Sequence, residues 1–402
     1  MLLAILISDS ISPYGMGTSN KPEEIFTMHL TSEQKRQLFH DGYIILKGVV
    51  PQYLVDAARA RIKSASRGEN LTTASEMTDL VNKSSITPIL HEAMGQFDPP
   101  SRAQVGMIKQ TPPKDQFTAL GYREKDLPYF GHGLHAEGLF AGVSPQQPMT
   151  GTPEEIYQHM ISSGPKGDIG RCADVIGINS DPLFQDPEMT LSVGSFTAFA
   201  IVPLNDQTRE GVGQTSVVHG GHHVLEAFYR WQFEQSGCIG PEGPGWPRFD
   251  HDTPNRAGHI LLPQPVQDKL MELHPNNLDT TPDGRRWPRP VQIMMEPGDA
   301  AITLFNMPHT GTRNEFGTES RKNMIFRIRN KRRQPDKIAT GVSDHPDRGQ
   351  MGEWLDYEEG NNPWERSKRA LTNMWHEWEG MQDIVTEEST KLTPVDFNHL
   401  RV

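Results

Sequence analysis

Four residues could do chemistry together: His135, Glu137, His309 and Arg321. His135-Ala136-Glu137 sets an imidazole and a carboxylate two positions apart, so on a strand both project to one side. His309 comes 172 residues after Glu137 (309 − 137) and must arrive from another strand. Two neutral imidazoles and one carboxylate on one face suit ferrous ion and leave positions open for a chelating co-substrate and O2. A co-substrate with a remote carboxylate needs a fixed cation. Arg321, twelve residues after His309 (321 − 309), can pair with it through two parallel bonds that a lysine does not reproduce. Arg321, Asn323, Ile325 and Arg327 alternate onto one face, so Arg327 is a second candidate, with Arg321 preferred as the nearer to His309. Lys109, Gln110 and Thr215 are candidates to line the co-substrate pocket. His132 would replace His135 as a ligand if that stretch were helical.

The elements that must position these residues are short. Pro297-Gly298-Asp299 reads as a tight turn, followed by an apolar strand that ends on His309, and Arg321–Arg327 reads as the next strand. Gln104–Gln110, Leu191–Pro203 and Thr215–Val218 read as further strands, the second as one long run. Upstream, Thr31-Ser32-Glu33-Gln34 forms a capping box for a helix to about His40. Tyr43–Gly48 is a strand after Asp41-Gly42, and Pro51 starts an amphipathic helix. Helices are also expected near 85–95 and from Val224 to Gln235. His222 and His223 would point to opposite sides of a strand, so His222 reads as structural. The basic cluster from Arg329 to Lys337 reads as a solvated strand end, and the tryptophans of the tail as core or subunit interface.

The 402 residues, with 35% hydrophobic and 22% charged, fit a globular protein, and 36 Gly and 32 Pro predict many turns around a β-rich centre. The expected organisation is a loosely ordered leader at 1–28 and a main domain at 29–345. Insertions at about 139–190 and 224–290 interrupt it, the second read as a lid or a disordered insertion. A helical extension at 346–402 packs on the core. A net charge of −12 argues against nucleic acid as partner. No stretch approaches the ~20 apolar residues of a membrane span. Cys172 and Cys238 make no disulfide framework, so a reducing, cytoplasmic location is expected, and a secretory signal at Leu2–Ile7 is not.

Several short segments in order resemble the phytanoyl-CoA dioxygenase family of iron(II)/2-oxoglutarate-dependent oxygenases. They are Asp41-Gly42-Tyr43-Ile44, Met107-Ile108 up to Pro112-Pro113, and His135-Ala136-Glu137-Gly138. Pro203-Leu204-Asn205-Asp206, Gly211 and His219-Gly220-Gly221-His222 follow, then Pro297-Gly298-Asp299, His309 and Arg321. The family usually has Asp where this chain has Glu137, and a shorter span before the distal histidine. The resemblance implies an α+β, β-rich fold with a double-stranded β-helix (jelly-roll) core and flanking helices. It also implies Fe(II) on His135, Glu137 and His309, 2-oxoglutarate on Arg321, and O2 as oxidant. The expected outcome is hydroxylation of a small organic molecule, with succinate and CO2 as co-products. The alternative is a jelly-roll protein that binds a metal or small ligand without turnover. A homodimer through the Trp-rich tail is a further expectation.

Overall fold

Thr31 caps the first helix as its spacing predicts. Gln34 N donates to Thr31 Oγ1 (3.1 Å) and Thr31 N donates to Gln34 Oε1 (2.9 Å). Helix α1 runs Ser32–Asp41 and stops at Gly42, whose φ of 81° is a left-handed conformation open to glycine at little cost. The computed structural model describes residues 29–110, 134–136, 143–145, 189–191, 196–235, 239–240, 243–246, 260–280, 286–330 and 371–400. Glu137, His132, Cys172, Cys238, the 1–28 leader and residues 331–370 lie outside them, as does most of 139–190.

Strand β1 (Tyr43–Leu46) follows α1, and then come helices α2 (Gln52–Ser64), α3 (Ser75–Asn82) and α4 (Ile86–Met94). Next are strands β2 (Gln104–Ile108), β3 (His135–Ala136), β4 (Val143–Pro145), β5 (Met189–Leu191), β6 (Ala198–Pro203) and β7 (Thr215–Val217). Helix α5 (Gly221–Glu234), β8 (Ile260–Leu261), α6 (Gln264–Leu273), β9 (Leu278–Thr280), β10 (Arg286–Pro288) and β11 (Val291–Gln292) come after. Strands β12 (Ala300–Leu304), β13 (His309–Gly311) and β14 (Arg321–Ile328), and helix α7 (Gln382–Ser389), complete the chain order.

Two five-stranded antiparallel sheets form the centre, in the orders β1-β12-β6-β14-β2 and β11-β7-β13-β3-β8. In the first sheet, Ile44, Leu46, Ala200, Val202, Ile302, Leu304, Met324, Phe326 and Ile328 share a cluster with helix residues such as Leu38, Phe39, Val55 and Leu90. Tyr43, Ile201 and Ala301, on the other face, pack against Val217, Ile293, Met295 and Met307 of the second sheet's side. Alternation along each strand therefore sends one set to the helices and the other between the sheets. Burying each large side chain contributes roughly 1.5–3 kcal/mol.

Four expectations need correction. Leu191–Pro203 is not one strand: β5 pairs β4 in a separate ribbon, while β6 is the middle strand of the first sheet. The described part of 224–290 is neither lid nor disordered insertion. It carries α6 and β8 to β10, and the buried Val224, Leu225, Phe228, Tyr229, Val266 and Leu270 join the main core. His222 and His223 sit on the first turn of α5, not on a strand, so they lie side by side with ring centroids 3.8 Å apart. Both direct Nε2 at the Phe39 carbonyl (2.8 and 2.9 Å). A carbonyl only accepts, so both Nε2 atoms carry protons. Arg329 is buried at 4% exposure rather than solvated. The C-terminal segment covers that strand end: Asn330 Nδ2 donates to the Glu377 carbonyl (3.0 Å), and Thr197 Oγ1 donates to Glu377 Oε2 (2.7 Å).

Among the described residues no helix is long and apolar enough to cross a membrane. Trp375 and Trp378 are buried in the main core, and Trp375 packs against Phe39 of α1 at 5.3 Å between centroids.

Candidate metal and anion site

His309 does not end the apolar strand that precedes it. Strand β12 stops at Leu304, a turn closed by Met307 N donating to the Leu304 carbonyl (3.2 Å) follows, and Pro308 precedes a new strand in the other sheet. Proline cannot donate to a ladder, so a strand that begins just after it keeps its pairing intact. His309 opens β13 and stands in antiparallel register with His135 on one side and Val217 on the other. Two histidines 174 positions apart in sequence (309 − 135) thus become cross-strand neighbours, their ring centroids 4.3 Å apart. His135 is buried at 4% exposure, so its imidazole lies in a site largely closed to solvent.

The His309 ring is oriented by its own backbone turn. Nδ1 lies 2.8 Å from the Met307 carbonyl. Because a carbonyl only accepts, Nδ1 carries the proton and Nε2 holds the lone pair, the tautomer a metal-binding histidine needs. Phe199 supports the ring from the first sheet, edge to face at 5.6 Å between centroids. Glu137, two positions beyond His135, lies outside the described residues. Among those described, no group of three His, Cys, Asp or Glu could hold a metal ion.

Arg321 opens β14 and faces the space between the sheets. It is 5% exposed, with Nε donating to the Gly213 carbonyl (2.6 Å) and Nη1 to the Gly106 carbonyl (3.2 Å). Two glycines make room for it. A Cβ on Gly106 would meet Arg321 Nη1 at 3.1 Å, and one on Gly213 would meet Arg321 Cβ at 2.9 Å. Gly213 also holds φ at +93°, which a side chain rarely adopts. Burial pushes the guanidinium down from its ordinary value to about 9. It stays charged at neutral pH, and among the described residues no carboxylate pairs with it. A buried cation held only by neutral carbonyls is a seat for an anion.

Polar side chains lie near Arg321 alongside Ile325 and Ile108. Asn323, two positions on and 0% exposed, accepts from Gln207 Nε2 at 2.6 Å. Thr215 is buried on β7 opposite Gly311, two positions from the histidine row, on the side toward Gly213. Lys109 and Gln110 are exposed past the end of β2, and Gln110 forms a parallel bridge with Asn314. Sequence reasoning passed over the two glycines. The only available signal was Gly106 inside a strand pattern, which marks close approach by another group.

Arg327, the other candidate, occupies the same face six positions on. Its Nη1 donates to Gln104 Oε1 (2.6 Å), and its Cζ lies 5.2 Å from the centroid of the Phe199 ring and 5.7 Å from that of Phe196. Histidine row, Arg321 and Arg327 therefore all face the interior between the two sheets.

No protein-family model matches the chain, and no curated protein matches it. Among solved structures, iron-bound HygX from Streptomyces hygroscopicus is 14% identical, with a TM-score of 0.37 over 74% of this chain and 86% of HygX. EctD from S. alaskensis, solved with 2-oxoglutarate and 5-hydroxyectoine, is 10% identical, with a TM-score of 0.37 over 75% and 76%. The nickel complex of the non-heme monooxygenase ThoJ is 11% identical, with a TM-score of 0.38 over 89% of this chain and 99% of ThoJ. Likeness this low in identity and TM-score says nothing of what this chain binds or does, which rests on its own residues.

Proposed function

We propose that the chain is an iron(II)- and 2-oxoglutarate-dependent oxygenase that oxidises, in the simplest case hydroxylates, a C–H bond of a small organic molecule. The observation that carries this reading is the His135–His309 pair, in register on adjoining strands, with the His309 lone pair turned away from Met307. The donor set fits ferrous ion: His135 and His309 would hold it, with Glu137 the candidate for the third ligand. The strand orders support a double-stranded β-helix, since β2, β14, β6, β12 and β3, β13, β7, β11 alternate between two facing sheets as in a jelly roll. With the segment matches above, they support the phytanoyl-CoA dioxygenase family as the finer assignment.

When bound, ferrous iron and 2-oxoglutarate supply the oxidising power, as O2 is consumed and the oxo acid loses CO2 to become succinate. The protein's part is positional. Met307 fixes the His309 tautomer, and Phe199 limits how the ring can turn. Arg321 receives the remote carboxylate, and its burial strengthens that charge pair by excluding water. Gly106 and Gly213 keep the guanidinium beside carbonyls that orient it without neutralising it.

Succinate release from 2-oxoglutarate, with ferrous iron and ascorbate, tests the proposal on wild type and His309→Ala. The expected result is turnover in wild type and a loss of about a thousandfold or more in the variant, the scale on which an essential ligand acts. Equal background in both proteins would mark a binding protein without turnover.

A further inference from the structure

The chain that aims His309 is a link between strands. β12 ends at Leu304 and β13 begins at His309, and residues 305–308 belong to neither. The Met307 carbonyl that fixes the His309 tautomer sits in this link, so the direction of the imidazole depends on what holds the link in place. Three contacts tie it to the chain at 218–222. Val218 N donates to the Pro308 carbonyl (3.0 Å), and Asn306 Nδ2 donates to the His222 carbonyl (3.2 Å). Gly221 lies so close to Pro308 that a Cβ there would meet Pro308 Cγ at 2.8 Å. The first turn of α5 is therefore the bed on which the His309 link rests.

That bed is anchored on its far side to the end of α1. His222 and His223 direct Nε2 at the Phe39 carbonyl, and Gly220 N donates to the Asp41 carbonyl (3.1 Å). Leu304 N donates to the Gly42 carbonyl (3.1 Å), so the end of α1 also fixes the start of the link. Asn306 is 0% exposed, and its Oδ1 is buried with no hydrogen-bond partner among the described residues. The His222 carbonyl only accepts, so the amide nitrogen must face it and the oxygen is the atom left over. A buried acceptor without a donor costs stability that leucine, of similar volume, would spare. A half-satisfied amide in a core calls for a reason other than stability. The bond to His222 supplies one, because it joins link to bed through a side chain.

Resting on the oxygenase reading, we propose that Asn306 is a positioning residue: by holding the 305–308 link to α5, it keeps the Met307 carbonyl on His309 Nδ1 and leaves the Nε2 lone pair for the metal. Without that bond the link pivots on Pro308, Met307 withdraws its acceptor, and His309 samples both neutral tautomers. The tautomer with its proton on Nε2 cannot ligate through that nitrogen.

The test uses the full metal-free chain with 15N-labelled histidine at about pH 8, where ordinary imidazoles are neutral. The His309 signals are assigned by their loss in His309→Gln. Wild type is expected to show a single tautomer protonated on Nδ1. In Asn306→Leu the Nδ1 and Nε2 shifts should move toward each other, and Ni(II) affinity should fall about 10- to 100-fold, the scale on which groups that orient a ligand act. Gly221→Ala pushes Pro308 off the bed from the other side and should do the same, so it decides the matter if Asn306→Leu does not fold. Ile89→Ala, a core truncation on α4, should lower the melting temperature and leave both readouts alone. A wild-type tautomer with Ni(II) affinity within threefold in the folded variants would overturn the proposal. Equal losses in Ile89→Ala would also overturn it, by tracing the effect to stability. Failure of the oxygenase reading shows separately, as absent 2-oxoglutarate turnover in wild type, and leaves the tautomer measurement readable.

Discussion

Replacing Arg321 with methionine removes the proposed anion seat while keeping an unbranched side chain of similar length. The remote carboxylate would lose two charge-assisted bonds, each contributing about 1.5–3 kcal/mol. A loss of roughly 3–6 kcal/mol corresponds to about a hundredfold to ten-thousandfold weaker 2-oxoglutarate binding at ~1.4 kcal/mol per tenfold. Arg321→Lys keeps the charge and loses the fork, so about tenfold is expected. Stability should move differently. In the free protein the cation rests on two neutral carbonyls, Gly213 and Gly106, and is pushed down to about 9 by burial. A base depressed in the folded state opposes folding below that value, and the penalty is relieved as pH rises from about 9 toward the ordinary guanidinium range. Methionine removes the penalty and strands two carbonyl acceptors at about 1–3 kcal/mol each, so the terms largely cancel. The free variant should therefore melt within a few degrees of wild type. Calorimetric titration of 2-oxoglutarate into Ni(II)-loaded protein, beside thermal melts of the free protein, reads both effects. A Kd within threefold of wild type in Arg321→Met, with the fold intact, would refute Arg321 as the anchor.

Two further outcomes follow from the same geometry. Gly213→Ala should cost about 1–3 kcal/mol of stability in urea titrations and raise the KM for 2-oxoglutarate. Its φ of +93° disfavours a side chain, and the new methyl would meet Arg321 Cβ at 2.9 Å. The paired imidazoles on α5 predict acid lability. Burial holds His223 down at about 4 and His222 well below its ordinary range, with the His222–His223 contact adding to the latter. Unfolding lets both take up protons, so their contribution is complete above about 6.5 and is lost as pH falls toward 4. His223→Phe should flatten the dependence of the urea midpoint on pH between 4.5 and about 7, while a curve parallel to wild type would sink that account.

Local signals in the chain were enough for some of its elements. Thr31 and Gln34 specify where α1 begins because both partners of the capping box lie within one turn. Alternation along Arg321–Ile328 separated Arg321, Asn323, Ile325 and Arg327 from Met324 and Phe326, since strand geometry alone decides that division. His135, His309 and Arg321 stood out together only through the order of the short segments around them, since a lone histidine in a strand is more often structural, and the register of His135 with His309 came from the fold. Partners distant in sequence were not legible. That β6 would sit between β12 and β14, that β5 would leave it for β4, and that His309 would begin a strand rather than end one depend on which segments meet, which no short window encodes. Likewise His222 and His223 took a helix because α5 packs its first turn against Phe39, outweighing a local pattern that reads as strand. The different surroundings of Arg321 and Arg327 belong to tertiary structure for the same reason. Both lie on one face by periodicity, and only the chain folded around them puts carbonyls beside one and aromatic rings beside the other.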